Sequence, residues 1–97
     1  MTTKELIKNF IKGVHTGQAS NGRLRVYTDV DVTVLVNYQT PIAVRDRAGN
    51  IILNTEYYSQ TTSRHQGVVG RNTPDGKLIE KDENELWKMI HMTEEVK

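Results

Sequence analysis

Cysteine is missing altogether from the 97 residues. That excludes disulfide staples, thiol nucleophiles and cysteine-ligated zinc, and it fits a reducing compartment. Large rings are few: one Phe, one Trp and four Tyr. No apolar run approaches the roughly 20 residues that span a bilayer. The opening MTTKELIKNFIKG is interrupted by Lys4, Lys8 and Lys12, so it does not read as a signal peptide. A cytoplasmic protein without a membrane partner is expected. There is no phosphate-binding P-loop, and Gly67-Val68-Val69-Gly70 is only GxxG. His15, His65 and His91 show neither HxH nor HxxxH spacing. No metal, no cofactor and no catalytic residue is expected.

What is present suits one small soluble domain over residues 1–97. Apolar residues make up 36% and charged residues 26%, enough for a modest two-layer core. The net charge is only +1, but it is uneven. Residues 1–71 hold nine Lys/Arg against five Asp/Glu, and residues 72–97 hold four Lys against seven Asp/Glu. Such asymmetry either marks a face for a partner or reflects a solvated acidic tail.

Thr2 and Glu5 have capping-box spacing, and Leu6, Ile7, Phe10, Ile11 and Val14 recur on one helical face, predicting a helix over 3–14. Gly13, Gly17, Ser20-Asn21 and Gly22 then read as a loop. RLRVY (23–27) and DVDVTVLVNY (29–38) alternate and are β-branched, so both read as strands joined at Thr28-Asp29. Gln39-Thr40-Pro41 punctuates the chain. Strands follow at 42–46 and 50–54, joined by a hairpin at Arg47-Ala48-Gly49. A turn at 72–76 precedes a short strand at 77–79. Asp82 then caps a last helix with Glu85 at the partner position and a stripe of Leu86, Met89, Ile90 and Val96, with Trp87 at its edge. The expected fold class is α+β: a small antiparallel sheet of three to five strands with an N-terminal and a C-terminal helix packed on it. One sheet face would carry Arg23, Arg25 and Tyr27.

The segment YYSQTTSRHQGVVGR (57–71) is the densest in chemistry. Thr61, Thr62 and Ser63 are N-cap residue types, and Arg64 to Val69 spells one or two helical turns ended by Gly70. A helix start flanked by Arg64 and His65 is suited to a phosphate or carboxylate. In the structural alternative the hydroxyls only cap, Tyr57 or Tyr58 packs on the core, and Arg64 sits in water. Serine catalysis is disfavoured, because Ser63 and His65 lie two apart and point to different sides of a helix. Arg23, Arg25 and Tyr27 also give a basic-plus-aromatic mix suited to nucleic acid or a nucleotide, with Arg45 and Arg64 as further phosphate contacts. The modest overall charge argues against that class, and a charged sheet face also serves solubility.

Residues 36–66, VNYQTPIAVRDRAGNIILNTEYYSQTTSRHQ, with GQASNGRLRV upstream, resemble a family of small proteins encoded by bacteriophages and prophages. The matching positions are Ser20, Asn21, Tyr38, Thr40, Ile42, Ala43, Arg45, Asn54, Tyr58, Ser59, Thr61, Thr62, Ser63, His65 and Gln66. They span about half the chain; the long DVDVTVLV strand and the tail from Arg71 depart from the pattern. The resemblance implies no activity. It implies a phage protein in the bacterial cytoplasm, of the kind that binds a host or defence protein and inhibits it by occupying a surface, in some cases as a homodimer. Tyr, Arg and Trp commonly anchor such contacts, which directs attention to Tyr27, Tyr38, Tyr57 and Trp87. Nucleic-acid or nucleotide binding is the alternative.

Overall fold

A computed structural model describes the backbone of residues 1–95 and the side chains of residues 1–90. Val96, expected on the last helical stripe, lies outside the described residues. The first helix, α1 (Thr3–Lys12), starts as its sequence dictates. The Thr2 hydroxyl accepts from the Glu5 amide at 3.1 Å, and the Glu5 carboxylate accepts from the Thr2 amide at 3.0 Å. It ends two residues earlier than expected because Gly13 takes a left-handed φ of 119° and returns its N–H to Asn9 and Phe10. Leu6, Ile7 and Phe10 are fully buried, each worth about 1.5–3 kcal/mol of transfer free energy.

Six strands follow in one sheet whose spatial order equals the chain order. They are β1 (Gly17–Ala19), β2 (Leu24–Asp29), β3 (Val32–Asn37), β4 (Thr40–Arg45), β5 (Ile51–Asn54) and β6 (Leu78–Lys81). The first five form an antiparallel meander, and β6 runs parallel to β5. The parallel return is made by α2 (Gln60–Asn72); α3 (Glu83–Glu95) closes the described chain.

The expectation of three to five antiparallel strands under two helices is therefore corrected. The sheet is mixed and six-stranded, with three helices. The Gly-rich segment read as loop contains β1, which passes so close under α1 that a Cβ on Gly17 would sit 2.7 Å from Leu6. The β2–β3 turn lies at Val30-Asp31 rather than Thr28-Asp29, because Asp29 already pairs with Val32. Pro41 lies inside β4, not before it. It is tolerated at an irregularity where Leu35 pairs with Ala43 and Val36 with Pro41, leaving Ile42 as the unpaired extra residue. The bulge turns both Ile42 and Ala43 into the same core.

That core fills the face under α1 and α2, with Leu6, Ile7, Phe10, Leu24, Val26, Leu35, Ile51, Leu53 and Val69. A second core lies on the opposite face, where Val32, Val34, Val36, Val44 and Ile52 meet Leu86 and Ile90 of α3. The two terminal helices thus lie on opposite faces. The all-valine face of β3 forces this, since it would otherwise be left in water.

Candidate functional site

At one end of the sheet, β3 and β4 are joined by the two-residue turn Tyr38-Gln39, flanked by the Asn37–Thr40 pair. Tyr38 has φ 55° and is 60% exposed. Its N–H donates to the Arg23 carbonyl at 2.7 Å, and its own carbonyl accepts from Arg25 Nη2 at 3.2 Å. The start of β2 thereby clamps the turn. Next to it, the buried Asn37 donates through Nδ2 to Thr62 Oγ1 at 3.1 Å, tying β3 to the start of α2.

The segment 57–71 is organised differently from the expected short turn. Its helix spans 13 residues and begins at Ser59, whose hydroxyl accepts from the Thr62 amide at 3.2 Å. Thr61, Thr62 and Ser63 are inside the helix, and so is Gly70. The inward face is polar at its start. Thr62 and His65 are buried above Val69, and Gln66 Nε2 donates to the Asn54 and Glu56 carbonyls at 2.7 and 2.8 Å. His65 is 8% exposed, and burial lowers its pKa from the usual 6.5, favouring a neutral imidazole at neutral pH.

Three adjoining recesses share Tyr38. One, of about 380 Å³, lies between Arg23, Tyr38, Thr61, Thr62 and His65. A second, of about 570 Å³, is lined by Asn21, Arg23, Arg25, Tyr38 and Gln39. The third, of about 490 Å³, runs from Tyr38 past Arg25 and Tyr27 to Trp87 of α3. Together they form a band around the sheet end, carrying two arginines and three large rings. Among the described residues, no Asp or Glu lines any of the three. Tyr27, half-buried, has its pKa raised first by burial and then by Asp29.

The other candidates go elsewhere. Arg45 is buried beneath α1 and serves as its C-terminal cap. It donates to the Phe10 carbonyl, to Gly13 O at 3.1 Å and to Thr33 Oγ1 at 3.2 Å, and its guanidinium lies 5.7 Å from the Phe10 ring centroid. Arg45 is thus a structural cation rather than an anion contact. Tyr58 turns to the α3 side, where its hydroxyl accepts from the buried Asn54 at 2.7 Å and donates to Glu83 at 2.5 Å; burial leads in raising its pKa to about 12. Tyr57 is exposed rather than packed. Ser63 and Arg64 follow along α2 and line none of the three recesses. Periodicity and composition did not single out Ser20, Thr40 or the Asn54 hub as site residues. The Ser20, Thr40 and Asn54 positions were legible only through the polar pattern carrying the resemblance.

The opposite end of the sheet has the opposite character. Asp29, Asp31 and Asp46 gather there, with Arg47 paired to Asp31 at 2.7 Å. Among the described residues, no group of three or more His, Cys, Asp or Glu is arranged to hold a metal ion.

The chain belongs to a family of unknown function, DUF8033, which it matches over residues 7–85. The DUF8033 match takes in most of α1, all six strands and α2, and ends in the first turn of α3. The whole Tyr38 turn therefore falls inside it, with Trp87 just beyond. No curated protein and no solved structure matches the chain. Among the described residues, no helix is long and apolar enough to cross a membrane.

Proposed function

We propose that this chain is a non-enzymatic phage protein that binds a bacterial host or defence protein and modulates it by occupying its surface. The observation that carries this reading is Tyr38. A non-glycine residue in the left-handed region costs roughly 1–2 kcal/mol, and two-residue hairpin turns favour Asn, Asp or Gly there. An exposed tyrosine recovers little of that by burial. Backbone outliers of this kind concentrate at binding sites. Around Tyr38 stand Arg23, Arg25, Tyr27 and Trp87, the residue types that dominate binding energy at protein interfaces. The phage context and the class of target come from the resemblance carried by residues 36–66. The nucleic-acid reading has less support, because α3 lies over β3–β5 on the Arg25 face and narrows the platform on which bases would stack.

The test is capture from bacterial lysate on the tagged chain, with and without nuclease, comparing the native protein with Tyr38→Gly. The expected result is one stoichiometric protein that survives nuclease and is lost with the variant. Nucleic acid recovered without a protein, or a captured protein indifferent to Tyr38→Gly, would sink the reading.

A further inference from the structure

We propose that the recess between the start of α2 and the turn entering β2 binds the phosphoryl group of a small ligand. This goes beyond the partner-binding reading and does not depend on it. Four features converge on the recess. The first-turn amide of Thr61, which lines the recess, has no acceptor within α2 and lies at the positive end of a 13-residue helix. His65 lines the recess, is 92% buried, and its ring makes no hydrogen bond with any described residue. Every fully buried side-chain nitrogen or oxygen among the described residues has a partner. The unpartnered imidazole nitrogens of His65 are therefore still open, and the open space beside them is this recess. Arg23 also lines it and has no partner for its guanidinium among the described residues. Finally, Thr40 of β4 and Thr61 of α2 line it, and no Asp or Glu among the described residues does.

An imidazole this buried has no protein partner for its hydrogen bonds, and its open nitrogens leave that role to whatever occupies the recess. A ligand oxygen can fill it. Donors from α2, from the residue before β2 and from the start of β4 approach from different directions. That arrangement suits a tetrahedral group with three free oxygens better than a planar carboxylate. A volume of about 380 Å³ holds a phosphoryl group with part of the molecule carrying it. Tyr38 also lines the recess, and its exposed ring is available to stack on that remainder.

The full chain, labelled with ¹⁵N, is titrated with inorganic phosphate and separately with adenosine monophosphate while its amide and imidazole resonances are followed. Saturable shifts are expected at Thr61 and Arg23 and at the His65 ring, with the His65 pKa rising on saturation. Arg23→Gln, at an exposed position, keeps the fold and weakens binding about tenfold, the loss of one charge-assisted contact. Tighter binding of the nucleotide assigns a phosphate ester as the natural source; equal affinities assign free phosphate. The proposal is overturned if neither probe gives saturable shifts. It is also overturned if Arg23→Gln leaves affinity unchanged, or if a single-stranded oligonucleotide binds while both small probes do not.

Discussion

Two residues with the same unusual backbone invite opposite readings. Val30 and Tyr38 both have positive φ, 41° and 55°, and both are mostly exposed at two-residue turns. Val30 lines none of the three recesses around Tyr38 and lies at the acidic end of the sheet, so relieving its strain should carry no functional penalty. Val30→Gly is expected to raise stability by about 1 kcal/mol, read as a higher urea midpoint with unchanged slope. A lower midpoint would show that the turn holds no strain to release. Tyr38→Gly should stabilise similarly while losing partner capture, the signature of a residue retained for contact. Arg45 stands at the other extreme. Replacing it by Met keeps the aliphatic stem but strips the α1 carbonyls of their cation. A loss of roughly 2–4 kcal/mol is expected in denaturant unfolding, and a loss under 1 kcal/mol would reject its role as the cap.

At the scale of the element, α2 is the least ordinary piece. His65 has a lowered pKa when folded, so the unfolded chain binds its proton more readily. The stability it contributes is complete above 6.5 and is lost as pH falls through its lower folded value. Glu5, held below its usual 4.5 by the Thr2 cap, adds a second decline in a separate, more acidic window. Urea unfolding should therefore weaken first just below pH 6.5, and His65→Gln should remove that first step alone. The same helix explains what the sequence left hidden. β2 and β3 are legible because apolar β-branched residues alternate with others, β4 and β5 because short apolar runs lie between turn residues, and α1 because its cap and stripe agree. In α2 the inward positions read Thr62, His65, Gln66 and Val69, and two glycines dilute the helical signal. No apolar period exists to be found there. β1 has only three residues, and β6, legible as a short strand at 77–79, carries no signature of its parallel pairing with β5. The site was legible as ingredients: Arg23, Arg25, Tyr27, Thr61, Thr62 and His65 were in view. Their gathering around Tyr38 was not, because it depends on α2 being long enough to start beside that turn.

For the whole molecule, charge is segregated along the strand axis rather than between the sheet faces. Among the described residues, no carboxylate lines the recesses at the Tyr38 end, and the Val30 end gathers three aspartates. A partner with an acidic contact surface would be oriented before it touches, so raising salt should slow association more than it speeds dissociation. Stopped-flow rates across a salt series would check this; equal effects on both rates would exclude steering.

The identity of chain order and sheet order says something about how the molecule comes apart. Each of β1 to β5 is held by a hairpin to a strand adjacent in sequence. β6 alone is held by a neighbour more than twenty residues away, and its other edge is unpaired. Closing that connection requires α2 to be in place. The segment from β6 onward is thus the natural unit to open first, uncovering the valine face of β3 while the meander persists. Amide hydrogens of β6 should exchange well before those of β3 and β4, at a rate tracking local rather than global unfolding. Such an opening would make this protein's first point of proteolytic attack the turn at residues 74–77, far from the Tyr38 end.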